Sequence, residues 1–129
     1  MLITVHLLEN QKLEACFNNY SVPCDQPLDN KGEATAPSPF DYFLASSAHC
    51  AGYFVKAYCA SRNISIEGIT IVQNNTKNSE NKYKHIFEIK AHVPAHFTQK
   101  DREGILRSIE GCSVKKVIQQ IPDFTVEII

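Results

Sequence analysis

Three features of this 129-residue sequence predict an α+β fold. Apolar residues alternate at period two in residues 2–8 and again in 82–93, the pattern of half-buried antiparallel strands. Between them, residues 38–62 form one long segment that is apolar on nearly every face and opens on a helix-start signal. Two shorter stretches near the C-terminus carry their own capping residues. Strands, a central helix, further strands and then helices make a two-layer α+β arrangement, read as a single domain over residues 1–129.

The elements follow in order. Residues 2–8 alternate branched apolar side chains, Glu9-Asn10-Gln11-Lys12 is a polar turn, and Leu13, Ala15 and Phe17 alternate again, so a β-hairpin is expected. From Tyr20 to Pro37 periodicity is lost among three prolines, a glycine and several Asn and Asp residues, which predicts a long loop with a functional or partner-facing role. Ser38 then suits an N-cap, Pro39 the first helical position, and Asp41 can reach back to the cap amide. The helix should run to about Arg62, roughly 24 residues or ~36 Å.

That helix is unusual because Phe43, Leu44, Ala45, Ala48, Ala51, Tyr53, Phe54, Val55, Ala57 and Tyr58 surround it. A helix that is apolar all round must be buried all round. A chain of this size has little else with which to wrap it, so a second subunit is expected to cover the remaining face.

Residues 64–73 read as a strand with a bulge at Gly68, and residues 82–93 as a second strand with Tyr83, His85, Phe87, Ile89 and Ala91 on one face. Residues 74–81 would be the polar turn between them. Thr98-Gln99-Lys100-Asp101 starts another helix that buries Ile105, Leu106 and Ile109 and ends at Gly111. Ser113 can cap a short third helix that stops before Pro122, and residues 124–129 look like a final strand.

Composition removes several classes of function. Thirteen basic residues against 14 acidic ones leave a net charge of −1 and no basic stripe for nucleic acid. No apolar run approaches the ~18 residues of a membrane span, and the first residues lack the flanks of a signal peptide, so a cytoplasmic chain is expected. There is no CxxC, HExxH, GxGxxG, P-loop or GxSxG pattern, hence no expected metal or cofactor. His92 and His96 are four apart, but Pro94 between them argues against a shared helix, and both read as surface residues.

Five cysteines remain: Cys16, Cys24, Cys50, Cys59 and Cys112. In a reducing compartment these are not a disulfide scaffold, and most would be small buried hydrophobes. Cys59 lies about 180° around the central helix from Cys50, and ~13–14 Å along it, so the two cannot bridge; Cys59 reads as core. Cys112 stands at the start of the last helix, where backbone amides and Lys115 and Lys116 would lower a thiol pKa. Cys50, in mid-helix, needs a neighbouring cation or hydrogen-bond donor. Cys16 and Cys24 show no activator.

Two segments together resemble the OsmC/Ohr family of thiol-dependent peroxidases and OsmC-like proteins. The first is Asp25-Gln26-Pro27, Gly32 and Ala36-Pro37-Ser38-Pro39-Phe40-Asp41-Tyr42-Phe43-Leu44-Ala45-Ser46 leading to Cys50, with the family's spacing from Pro39 to the cysteine. The second is Gly111-Cys112-Ser113-Val114-Lys115-Lys116, followed by Pro122-Asp123-Phe124. The order of elements fits as well. This resemblance implies an antiparallel sheet with a long buried central helix in an intertwined homodimer. It implies Cys50 as the peroxidatic thiol and Cys112 as the resolving one, acting on a small organic hydroperoxide and recycled by a dithiol reductant. Phe40, Phe43, Tyr53 and Phe54 would line an apolar substrate pocket.

The chain departs from the peroxidase branch in two places. No arginine precedes Arg62, and Phe40 stands where that branch has a glutamate; Asp41, one residue later, matches the acid of the OsmC-like branch and is equally suited to a capping box. Lys12, Lys31 and His49 are the candidates to replace the missing cation. Two further functions fit the same scaffold: a binding protein for a small hydrophobic or thiol ligand at the dimer interface, and a redox sensor.

Overall fold

The computed structural model describes residues 1–129 and divides into two compact units, residues 1–45 and 46–129. It is a mixed α+β chain with two antiparallel sheets and three α-helices, in keeping with the predicted class.

The first unit is a three-stranded meander: β1 (Thr4–Leu7), β2 (Leu13–Phe17) and β3 (Tyr20–Cys24), in that order across the sheet. Thr4 faces Cys16 and Leu7 faces Leu13, so the first hairpin closes where it was expected. Its turn is held by the Leu8 amide on the Lys12 carbonyl (3.0 Å), with Asn10 in the left-handed region that asparagine tolerates. The expected loop from Tyr20 onward is instead a third strand as far as Cys24. Phe17 pairs with Tyr20 across a tight turn in which Asn18 has φ 50°. Pro23 did not prevent this, because β3 is an edge strand with no neighbour on its other side.

Beyond β3 the chain turns through a 3₁₀ segment, Leu28–Asn30, to the start of α1 (Pro39–Ala60). The cap forms as the residues predict. Ser38 Oγ accepts from the Asp41 amide (3.3 Å), while the Asp41 carboxylate accepts from the Ser38 amide (2.9 Å) and hydroxyl (2.7 Å). Tyr42 anchors the same turn by donating to the Pro23 carbonyl.

In the second unit, β4 (Thr70–Lys77) and β5 (His85–His92) form a two-stranded ladder from Thr70 opposite His92 to Lys77 opposite His85. The β5 alternation places His85, Phe87, Ile89 and Ala91 on the more buried face as read, but Tyr83, expected with them, precedes the strand and is exposed. The strand expected over 64–73 is corrected at both ends. Residues 64–69 are loop, turned by Gly68 at φ 77°, and the ladder continues through Asn74, Asn75 and Thr76. Ile64 and Ile69 carry apolar side chains because the loop packs them against the core, which imitates a strand pattern.

The rest of the second unit is helical. Thr98 caps α2 (Gln99–Glu110) by accepting from the Asp101 amide (3.1 Å). Cys112, not Ser113, caps α3 (Ser113–Gln119). The core gathers Val55, Tyr58 and Cys59 of α1 with Phe97 and Ile105, each burial contributing about 1.5–3 kcal/mol for a large apolar side chain. Gly104 lets α2 approach, since a Cβ there would sit 2.2 Å from the Tyr58 hydroxyl.

Within one chain α1 buries a single stripe, Ser47, Ala51, Val55, Tyr58 and Cys59; Tyr53 remains 66% exposed and Phe40 and Phe43 are also exposed. The final strand expected at 124–129 does not form. Those residues have no hydrogen-bonded neighbour strand, and Phe124, Val126 and Ile128 project into solvent. No helix is long and apolar enough to cross a membrane.

Candidate active site

Two cysteines distant in sequence meet in the second unit. Cys50, in the middle of α1, is half-buried, whereas Cys112 at the N-cap of α3 is 1% exposed. The Cys50 sulfur lies beside the Cys112 thiol and the backbone amides of Val114 and Ser113, donors that favour its ionised form. Burial pushes the Cys50 thiol up, but these three donors outweigh it and hold its pKa below the ordinary value. For Cys112, burial and then its hydrogen bond to Cys50 push the pKa up; the Lys115 amide, 3.4 Å from its sulfur, only partly opposes this.

This reverses one sequence-based expectation. The amides at the start of α3 were expected to activate Cys112, yet the ones that count most converge on Cys50. Cys112 occupies the cap, where the Lys115 and Val114 amides act on its own sulfur, while the Val114 and Ser113 amides also act on Cys50. Nor is a cation among the groups that lower the Cys50 pKa. Lys12 is bound to Glu33 (2.6 Å) and Glu9 (3.8 Å), Lys31 closes the 3₁₀ turn through its amide on the Leu28 carbonyl (3.3 Å), and His49 is exposed. The sequence signal for the true donors was the Cys112-Ser113-Val114 helix start, read as acting on the wrong thiol.

The remaining predicted residues divide between the units. Phe54 packs at the α2–α3 junction, where its Cε1 lies 3.2 Å from the position a Cβ on Gly111 would take. Tyr53 lies edge-on to Phe54, ring centroids 5.4 Å apart, and lines a cavity of ≈ 440 Å³ with His49, Gly52, Val55, Lys56, Ile66, Ile69 and Ile71. In the first unit Phe40 and Phe43 stack on each other at 5.6 Å. Asp41 is committed to the α1 cap, and the Ser38 hydroxyl and amide hold its carboxyl below the usual range. Cys59 is fully buried in the core, as expected. Cys24 is half-buried, its pKa raised by burial and by the charges of Asp25 and Asp41. Cys16 is half-buried on β2.

One residue quoted above only within the family-like segment has a role of its own. Asp25 is fully buried and organises the loop that follows β3. Its carboxylate accepts from the Thr35 amide (3.0 Å) and hydroxyl (2.7 Å) and from the amides of Gln26 (2.7 Å) and Glu33 (3.2 Å), which lower its pKa to about 2. Gly32 is required in the same loop, because a Cβ would fall 1.8 Å from the Gln26 carbonyl oxygen.

Comparison with solved structures finds the same fold in several proteins. A Psychrobacter arcticus protein named for osmotic stress induction and a detoxification response superposes with a TM-score of 0.72 at 20% identity, over 89% of this chain and 85% of that one. An organic hydroperoxide resistance protein, OsmC, from Legionella pneumophila gives 0.62 at 20% identity, over 92% and 88%. An organic hydroperoxide resistance protein from Elizabethkingia anophelis gives 0.63 at 13% identity, over 94% and 90%. No curated protein matches the sequence. The sequence model of the family described as OsmC-like protein matches residues 31–127, a span that includes both Cys50 and Cys112. With the fold agreeing and most of the chain matched, this protein belongs to the OsmC-like family.

Proposed function

We propose that the chain reduces organic hydroperoxides through Cys50, with Cys112 as the resolving thiol, and so serves in defence against oxidative stress. The observation that carries this reading is the set of donors on Cys50, namely the Cys112 thiol and the Val114 and Ser113 amides. A thiolate held by backbone dipoles can attack the terminal peroxide oxygen, which breaks the O–O bond and releases an alcohol after protonation. Cys50 is left as a sulfenic acid. The hydrogen-bonded Cys112 then displaces its hydroxyl as water to form a disulfide, which a dithiol reduces by exchange. Two of the structural relatives are named for organic hydroperoxide resistance, which agrees with this substrate class.

A homodimer belongs to the same reading. The aromatic side chains that α1 leaves exposed and the unpaired apolar segment 124–129 are surfaces that a second copy would cover. Asp41 contributes through the cap of the helix that carries Cys50. A compartment that keeps thiols reduced, such as the cytoplasm, would sustain the cycle.

The test is a thiol count on reduced protein after addition of cumene hydroperoxide. Two thiols should be lost in the wild type and none in Cys50→Ser; no peroxide-dependent loss in the wild type would contradict the proposal. The largely apolar cavity beside Tyr53 favours a second reading, a binding protein for a small hydrophobic ligand. Ligand-induced thermal stabilisation that survives Cys50→Ala, without any peroxide-dependent thiol loss, would select it.

A further inference from the structure

The two sulfurs of the redox pair differ in how an outside molecule can reach them. Cys50 is half-buried, but Cys112 is 1% exposed and enclosed by the backbone of its own helix junction. The Lys115 amide lies 3.4 Å from its sulfur, the Cys112 amide is bonded to the Ile109 carbonyl (3.1 Å), and its carbonyl accepts from the Lys116 amide (3.1 Å). One residue before, Gly111 fits so closely beneath Phe54 and the Ser108 carbonyl that even a methyl group would be crowded there.

Thiol–disulfide exchange is a displacement at sulfur through a mixed disulfide, and access decides which sulfur is attacked. An incoming thiolate must approach on the side opposite the sulfur that leaves. For attack on Cys50, that side faces away from α3. For attack on Cys112, the sulfur belongs to a residue that is 1% exposed.

Resting on the peroxidase reading above, we infer that the external reductant attacks the Cys50 sulfur and expels Cys112, so that the obligatory mixed disulfide forms on Cys50. The reductant's sulfur bonds to Cys50 as the Cys50–Cys112 bond breaks. The departing electron pair leaves Cys112 as a thiolate, which takes a proton from solvent. The second thiol of a dithiol reductant, once deprotonated, then attacks the first reductant sulfur and releases the Cys50 thiolate to its amide donors. Two electrons pass from the dithiol to the protein, and the reductant leaves as a disulfide.

Leaving-group strength opposes the first step, because the more acidic Cys50 would depart more readily if Cys112 were attacked. Access decides which sulfur is attacked. A closed sulfur, by contrast, cannot react until its helix opens. In the second step both effects agree, as Cys50 is then the leaving group.

The experiment separates this inference from the reading beneath it. Wild-type protein is oxidised with diamide, which makes disulfides without peroxide, and pulsed with excess 2-mercaptoethanol. Acid quenching then stops exchange, and peptide mass mapping locates the adduct. The mercaptoethanol adduct should lie on the Cys50 peptide, with Cys112 free, in at least tenfold excess over the reverse. An adduct on Cys112, or an even split, would overturn the inference while leaving the resolving pair intact. If diamide produces no Cys50–Cys112 disulfide, the role of Cys112 as resolving thiol fails and the inference fails with it.

Discussion

The thiol of Cys112, at the N-cap of α3, stands beside the sulfur of Cys50 in the middle of α1. This one contact has two chemical consequences. It favours the ionised form of Cys50, and it holds the partner that would condense with an oxidised Cys50 against it. The adjacent Ser113 and Val114 amides supply the remaining stabilisation, so the site ionises its thiol with dipoles where a cation was expected.

The pH dependence of Cys50 alkylation follows from these donors. In wild-type protein the iodoacetamide rate at Cys50 should reach half its maximum below the ordinary thiol value, because only the thiolate reacts. Cys112→Ala removes the first-named donor, and the midpoint should move up. A midpoint unchanged by Cys112→Ala would mean that the hydrogen bond does not influence the thiol.

Acid stability should report on Asp25. Its folded pKa of about 2 lies below an unfolded value of ~3.9, so its contribution is complete above about pH 4 and is lost as pH falls towards 2. Asp41 and Asp101 are shifted in the same direction and add to the slope. Thr35→Val removes the donating hydroxyl and should move the onset of acid unfolding to higher pH, as followed by circular dichroism. A superimposable acid transition would contradict the assignment.

Gly104→Ala tests the seam between α1 and α2. A methyl group there would overlap the Tyr58 ring, whose hydroxyl donates to Asp101 at 3.3 Å and whose face carries the Arg62 guanidinium 4.0 Å from its centroid. Overpacking of this kind costs about 1–3 kcal/mol, despite the better helix propensity of alanine. Urea denaturation should show the loss.

Ser38→Ala separates capping from chemistry. Loss of the cap hydroxyl should cost about 0.5–2 kcal/mol in stability. The rate of peroxide-dependent thiol loss at a temperature where the protein stays folded should be unchanged, and the same should hold for Asp41→Asn. A large fall in that rate for Asp41→Asn alone would give Asp41 a direct role in the reaction.

Where the sequence was legible, a local rule governed the outcome. Ser38 and Thr98 start helices because their hydroxyls accept from orphan amides three residues on, and the β5 alternation survives because one face is covered. The misreadings arose where distant partners decide. Pro23 is tolerated because β3 is an edge, and Asn74, Asn75 and Thr76 are strand because residues 86–88 pair with them. Ile64 and Ile69 look like strand positions although they are loop residues packed on the core. Asp25 had no local signature, since its ligands lie up to Thr35. For the site itself, periodicity left the Cys50–Cys112 pairing open and only the family resemblance favoured it, while the helix-start reading assigned to Cys112 the α3 amides that lower the pKa of Cys50.

The central claim is that an organic hydroperoxide oxidises Cys50 and that Cys112 resolves it. Its most direct test is a non-reducing peptide map of protein treated with one equivalent of cumene hydroperoxide. Treated protein should yield a Cys50–Cys112 linked peptide, two hydrogens lighter than the sum of its parts, absent from untreated protein. Treated protein in which both cysteines remain free thiols would contradict it.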